Sequence, residues 1–276
     1  MDKVLEVRNL SKVYGKGCAD CFELTGPHSD TNICPSCGSV VAAHDVSFDL
    51  YKGEILGIMG ESGSGKSTSV KSLYFDEEPT SGRAIFYDEG KQYDLFTLNA
   101  AQQRRLASRR FGMVYQNPYL GLKFDITAGG NIAERLLMSS VSNFSDIRAR
   151  AISLLHRTEV PTERIDALPK TFSGGMQQRV QIAKALSTYP PLLFLDEVTT
   201  GLDLSVQAAI LDLIMEIQQE IQTAMIVVTH DLGVIRLLAG RTLVMKYGRI
   251  IESGLTDQVL EDPQHAYTQR LVASAL

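Results

Sequence analysis

Outside residues 18–37 the chain has no cysteine at all. All four thiols lie in "CADCFELTGPHSDTNICPSC", so no disulfide can tie distant parts of the chain together. A surplus of positive charge is missing too. Lys and Arg total 27 against 32 Asp and Glu, a net charge of −5. That balance excludes a global basic field for nucleic acid or anionic lipid, and no nucleic-acid partner is expected. The one dense basic run, "RRLASRR" from Arg104 to Arg110, reads as a solvated helix face, with a docking patch as the alternative. No apolar run approaches the roughly 18 residues that span a bilayer. The opening "MDKVLEVRNL" carries acidic residues and no apolar h-region, so it does not read as a signal peptide. The expected location is the cytoplasm, with any membrane role exercised through a partner. In that reducing compartment, clustered thiols favour a metal over disulfides. Internal repeats and low-complexity segments are also missing.

What is present fits one large α/β domain or two modest ones: 276 residues, 44% of them hydrophobic. "VLEVRNLSKVY" reads as a strand, and "VVAAHDVSFDLYKGEILGIMG" as two more, broken at Lys52-Gly53. "EILGIMG" is continuously apolar, as in a strand buried on both faces. "KSTSVKSLYF" reads as a helix opening straight after glycines. Residues 125–170 read as helical, with breaks at Gly129-Gly130, Pro161 and Pro169. "SGGMQQRVQIAKAL" is a helix with Ser173 as its N-cap. "PLLFLDE" and "AMIVVTH" are buried strands, "LSVQAAILDLIMEIQQE" is an amphipathic helix, and "RTLVMKYGRIIESG" is a hairpin. Helices surround a break at Pro263 near the C-terminus. Strands alternate with helices through the second half, which points to a mainly parallel sheet.

"GESGSGKS", residues 60–67, fits G-x-x-x-x-G-K-S between a buried strand and a helix, the context that this phosphate loop requires. Its glycines let backbone N–H groups curl around phosphate oxygens, and the helix N-terminus adds partial positive charge. The cradle comprises Gly60, Glu61, Ser62, Gly63, Ser64, Gly65, Lys66, Ser67 and Thr68. Lys66 can reach the β- and γ-phosphates, and the Ser67 hydroxyl can ligate Mg²⁺. "LLFLDE" supplies the second magnesium anchor, Asp196, followed by Glu197 as general base.

With "FSGGMQQRVQIAKAL" beside these motifs, the chain resembles the ATP-binding cassette (ABC) ATPases. The signature is Ser173-Gly174-Gly175-Met176-Gln177. Further positions match. Gln116 in "VYQNP" resembles the glutamine that senses magnesium and γ-phosphate. Asp203 in "GLD" resembles the D-loop aspartate. His230 in "VVTHD" resembles the switch histidine, and Tyr14 in "SKVYG" the aromatic on which adenine stacks. One departure is Val198, where the family usually has proline; both carboxylates stay in place. The resemblance implies a P-loop NTPase fold with a RecA-like core, an antiparallel β subdomain and a helical subdomain over about 117–185. It implies a single cassette domain over 1–276, with a helical extension over about 255–276. It also implies a head-to-tail homodimer or heterodimer that closes on MgATP and hydrolyses it, with Lys66, Gln116, Glu197 and His230 catalytic.

Within that family, "TAGGNIAERL", "THDLGVIRLLAGRTLVMK" and "ESGLTDQVLEDPQHAYTQRLV" resemble the ATP-binding subunit of the carbon–phosphorus lyase system. That resemblance implies soluble lyase subunits as partners in phosphonate use. The alternative is the dipeptide, oligopeptide or nickel importer branch, with membrane permeases as partners.

The cysteine stretch expands what is a short hairpin in a plain cassette into an insertion over 15–40. Cys18, Cys21, Cys34 and Cys37 form Cys-x₂-Cys-x₁₂-Cys-x₂-Cys, a spacing that can close a tetrahedral Zn²⁺ site in a zinc-ribbon-like loop. An iron–sulfur cluster and free thiols are the alternatives. His28 and His44 flank the site and read as surface residues.

Overall fold

The computed structural model describes residues 2–274, so positions 275–276 of the expected C-terminal extension lie outside the described residues. Two compact units form, Met1–Ala100 with Ile226–Leu276, and Ala101–Met225.

In the first unit, β1 (Lys3–Tyr14) and β2 (Val40–Tyr51) form a long antiparallel pair, and the cysteine stretch is the loop that joins them. β3 (Ile55–Met59) is buried at every residue, as its unbroken apolar run requires. It feeds α1 (Lys66–Leu73) through the glycine-rich loop. β4 (Ser81–Asp88) and β5 (Lys91–Asp94) complete a four-stranded antiparallel sheet in the order β2-β1-β4-β5. β5 is polar and half-exposed, so no apolar pattern in the sequence marks it.

The second unit opens on α2 (Ala100–Arg109), whose Arg104 and Arg105 are exposed while Leu106 is buried, as a solvated helix face demands. β6 (Phe111–Val114) follows, then α3 (Pro118–Gly121), α4 (Ala128–Met138), α5 (Phe144–Arg157) and α6 (Gly174–Leu186). β7 (Leu192–Asp196), fully buried, pairs parallel with β6, and α7 (Leu204–Ile221) closes the unit. The break expected at Gly129-Gly130 is not there. Both glycines sit in the first turn of α4, capped by the Thr127 side chain. A Cβ on Gly129 would lie 2.6 Å from Ile165, and one on Gly130 2.6 Å from Ile126, so these glycines serve close packing.

β8 (Ala224–Thr229) leads back to the first unit. α8 (Leu232–Leu238), β9 (Arg241–Lys246), β10 (Arg249–Leu255), α9 (Thr256–Glu261) and α10 (Ala266–Ala273) follow. β9 pairs parallel with β3 and antiparallel with β10, so this sheet is mixed. The β9–β10 turn, Tyr247-Gly248, has φ of 48° and 80° at its two central residues, the positive pair that a tight hairpin prefers. Among the described residues, no helix is long and apolar enough to cross a membrane.

Candidate nucleotide site and cysteine cluster

The phosphate loop lies between β3 and α1. Gly60, Gly63 and Gly65 all adopt positive φ. At Gly65 the requirement is absolute, because a Cβ there would lie 2.0 Å from the carbonyl oxygen of Ala42. Lys66 is 4% exposed and arches over its own loop. Its ammonium donates to the carbonyls of Gly60 at 2.7 Å and Glu61 at 2.8 Å. It also reaches the Ser64 hydroxyl at 3.5 Å, and a buried ammonium set in the loop this way can meet an incoming anion. Ser67 and Thr68 occupy the first turn of α1 beside it.

Tyr14 ends β1 and is 39% exposed. Its hydroxyl donates to the Glu77 carboxylate. Burial and that carboxylate push the phenol up to about 12, so it stays neutral. His230 follows β8 and is exposed; the next residue, Asp231, caps α8 by accepting from Gly233 and Val234.

The second unit carries the remaining motifs. Asp196 ends β7 and is 4% exposed. Glu197 has φ 49°, a left-handed turn that is uncommon for a residue with a side chain. Its Oε2 accepts from Gln116 Nε2 at 2.9 Å and from the Thr200 hydroxyl at 3.3 Å. Ser173 caps α6, accepting from the Met176 amide at 3.4 Å. Gly174 has open space where a Cβ would be. Gln177 turns back, donating to the carbonyls of Pro169 and Phe172, so it braces the turn before the signature. Asp203 is exposed at the start of α7.

Sequence reasoning missed the residues that aim these groups. Gln181, 1% exposed on α6, accepts from the Tyr115 amide at 2.7 Å and donates to the Tyr115 carbonyl at 3.0 Å. Gln178 donates to the same carbonyl. The signature helix therefore fixes the backbone just before Gln116. Two buried glutamines in "QQRVQ" were the available signal, since buried amides need partners. Tyr267, 4% exposed on α10, was missed as well; its hydroxyl accepts from the Glu61 amide at 3.0 Å.

The four cysteines converge. Their sulfurs all lie within 4.8 Å of one another. Cys18 Sγ is 3.4 Å from Cys21 Sγ and 3.6 Å from Cys34 Sγ, and Cys21 Sγ is 3.4 Å from Cys37 Sγ. Sulfurs bound tetrahedrally at about 2.3 Å from a metal stand about 3.8 Å apart, so the donor set fits such an ion. Crowding splits the thiols. The Ser39 hydroxyl, hydrogen-bonded to Cys37, lowers that thiol to about 6, while the hydrogen bond with Cys21 raises Cys18 to about 12. His28 is exposed, as expected. His44 is not a plain surface residue: it is half-buried and stacks on Phe22, with ring centroids 4.0 Å apart. The insertion thus packs on β2 at His44 and Val41.

Residues 43–200 match the family model described as "ABC transporter". The chain belongs to the ABC family. It is an ATP-hydrolysing cassette. It is 53% identical over 232 residues to PhnK of Escherichia coli K12, a protein named for phosphonates utilization and ATP binding. That match covers 84% of this chain and 90% of PhnK. The oligopeptide transport ATP-binding protein OppD of Bacillus subtilis is 40% identical over 248 residues, covering 86% of this chain and 67% of OppD. Among solved structures, the cassette MJ0796, a dimer bound to ADP and Pi after hydrolysis, aligns with a TM-score of 0.77 and 26% identity. It covers 91% of this chain and 98% of that one. ABC cassettes dimerise, as that structure records.

Proposed function

We propose that this cassette hydrolyses MgATP in a head-to-tail pair, and that the pair powers a soluble carbon–phosphorus lyase complex in phosphonate use. The observation that carries the second half is the 53% identity to PhnK over most of both chains.

The roles follow from the side chains. Residues 60–68 hold the triphosphate through backbone N–H groups and the Lys66 ammonium. Adenine stacks on the Tyr14 ring. Ser173, Gly174 and Gly175 of a second cassette present another helix N-terminus to the same γ-phosphate. Ser67, Gln116 and Asp196 would hold Mg²⁺, which neutralises charge on the phosphates. Glu197 takes a proton from the attacking water; its hydrogen bond from Gln116 holds the carboxylate for that step. His230 contacts the γ-phosphate, and Asp203 faces the partner cassette. Cys18, Cys21, Cys34 and Cys37 hold a structural Zn²⁺, since four close thiols in a segment with few apolar residues need a metal to hold it together.

The role is tested by affinity capture of this chain from cells grown on a phosphonate as sole phosphorus source. Soluble lyase subunits are the expected companions. Recovery of multi-span permeases in their place would favour the peptide-importer reading that OppD represents. Elemental analysis should find one zinc per chain, and iron in its place would replace the zinc assignment.

A further inference from the structure

The cysteine loop makes contacts that a mere insertion does not need. From Asp30 a carboxylate oxygen accepts from Lys246 Nζ at 2.7 Å. The carbonyl of Phe22 accepts from the Arg249 guanidinium. Gly26, at φ 117°, lets the Arg249 side chain pass, because a Cβ there would lie 2.6 Å from Arg249 Nε. Lys246 and Arg249 flank the Tyr247-Gly248 turn, so the loop grips that turn from both sides.

The turn in its own right is part of the phosphate loop's support. The Gly248 amide donates to the Ser64 carbonyl at 2.9 Å, and its carbonyl accepts from the His44 amide at 2.8 Å. A direct contact runs beside this path: Asn32 Nδ2 donates to the carbonyl of Gly63 at 3.4 Å. A third path reaches Glu61. Lys246 lies 5.3 Å from the Tyr267 ring centroid, and the Tyr267 hydroxyl accepts from the Glu61 amide. Three residues of the cradle, Glu61, Gly63 and Ser64, are therefore tied directly or through one residue to what the cysteine loop holds.

We infer that the cysteine loop is a brace for the phosphate loop, with Asn32 and Asp30 as positioning residues, so that its metal sets nucleotide affinity. The metal half rests on the zinc assignment above; the contacts of Asn32 and Asp30 do not. The apolar packing of the loop is small: Cys21, Cys34 and Val41 with Val13, Cys18, Phe22 and Leu24. Without a metal, such a segment cannot meet the entropy of holding Asp30 and Asn32 in place. With the metal bound, both groups are delivered ready-positioned, and the cradle meets the triphosphate in its binding shape.

The test uses the full chain with three readouts: zinc per chain, affinity for a fluorescent ATP analogue, and amide hydrogen exchange of residues 60–65. The Asp30→Asn, Asn32→Ala double variant keeps all four cysteines. It should retain full zinc, bind the analogue about tenfold more weakly, the scale of one charge-assisted hydrogen bond, and exchange faster in residues 60–65. Asp30→Glu should recover part of the loss. Chelating the parent chain should weaken binding at least as much. Full zinc with unchanged affinity and exchange in the double variant would overturn the brace while leaving the zinc assignment intact. A parent chain without metal would remove the metal half and leave the two positioning residues to be judged by the double variant alone.

Discussion

Gln116 donates its Nε2 hydrogen to Oε2 of Glu197 across 2.9 Å. Two motifs 81 residues apart in sequence thus meet in one hydrogen bond. In the proposed mechanism the bond orients the carboxylate assigned as base, and it ties that orientation to the residue proposed as a magnesium ligand. Glu197→Gln should lower ATP turnover by about 10²–10⁴-fold, the usual worth of a general base, while nucleotide binding persists. Single-turnover kinetics with equilibrium binding separates the two effects. Turnover at the parent rate would remove Glu197 from its role.

Lys66 donates to the Gly60 and Glu61 carbonyls of its own loop. Lys66→Ala removes both contacts and the cation that the triphosphate meets. ATP affinity should fall at least about tenfold, since charge-assisted contacts to phosphate are lost. Isothermal titration checks this.

The Tyr14 ring provides a stacking face, and its hydroxyl is held by Glu77. Base stacking on an aromatic is worth about 1–3 kcal/mol, so Tyr14→Ala should weaken ATP binding about tenfold or more, and Tyr14→Phe far less. The phenol is raised to about 12, so the neutral donor is fully present below the ordinary tyrosine value of about 10 and is lost only as pH rises through about 12. Adenine affinity should therefore be flat between about pH 6 and 9 as far as this group is concerned. A drop near pH 8 that Tyr14→Phe abolished would contradict that.

Gln181 satisfies both backbone groups of Tyr115 from a buried position. Gln181→Ala removes the acceptor of the half-buried Tyr115 amide and one of the two donors to its carbonyl, a cost of about 1 kcal/mol in unfolding free energy. Gln116 would then lose its register, so kcat should fall more than nucleotide affinity. Urea unfolding and steady-state kinetics give both numbers.

Cys34 is 1% exposed and lies 3.6 Å, sulfur to sulfur, from Cys18. Cys34→Ser should abolish bound zinc and lower the melting temperature. Full zinc content in that variant would rule the cluster out as its site.

Most strands and helices, and the family, were legible because each leaves a local mark. β3 and β7 are unbroken apolar runs, and the turn at Gly65 needs a glycine because backbone oxygen fills the space of a Cβ. The four cysteines announce their cluster by spacing. Three things left no such mark. β5 is polar, and only its pairing with β4 makes it a strand. Gly129-Gly130 read as a break because glycine lowers helix propensity, but a helix N-terminus tolerates glycine where Ile126 and Ile165 press close. The supports of the cradle, Tyr267 on Glu61 and Asn32 on Gly63, are long-range pairs that no period in the sequence encodes. His44 was misread for the same reason, since Phe22 covers it from a different element.

The most direct test of the account is a structure of the Glu197→Gln chain with MgATP. The triphosphate should lie in residues 60–68, with the Ser173 hydroxyl of a second cassette against its γ-phosphate. A triphosphate bound elsewhere, or held in residues 60–68 with no second cassette facing it, would contradict the shared site.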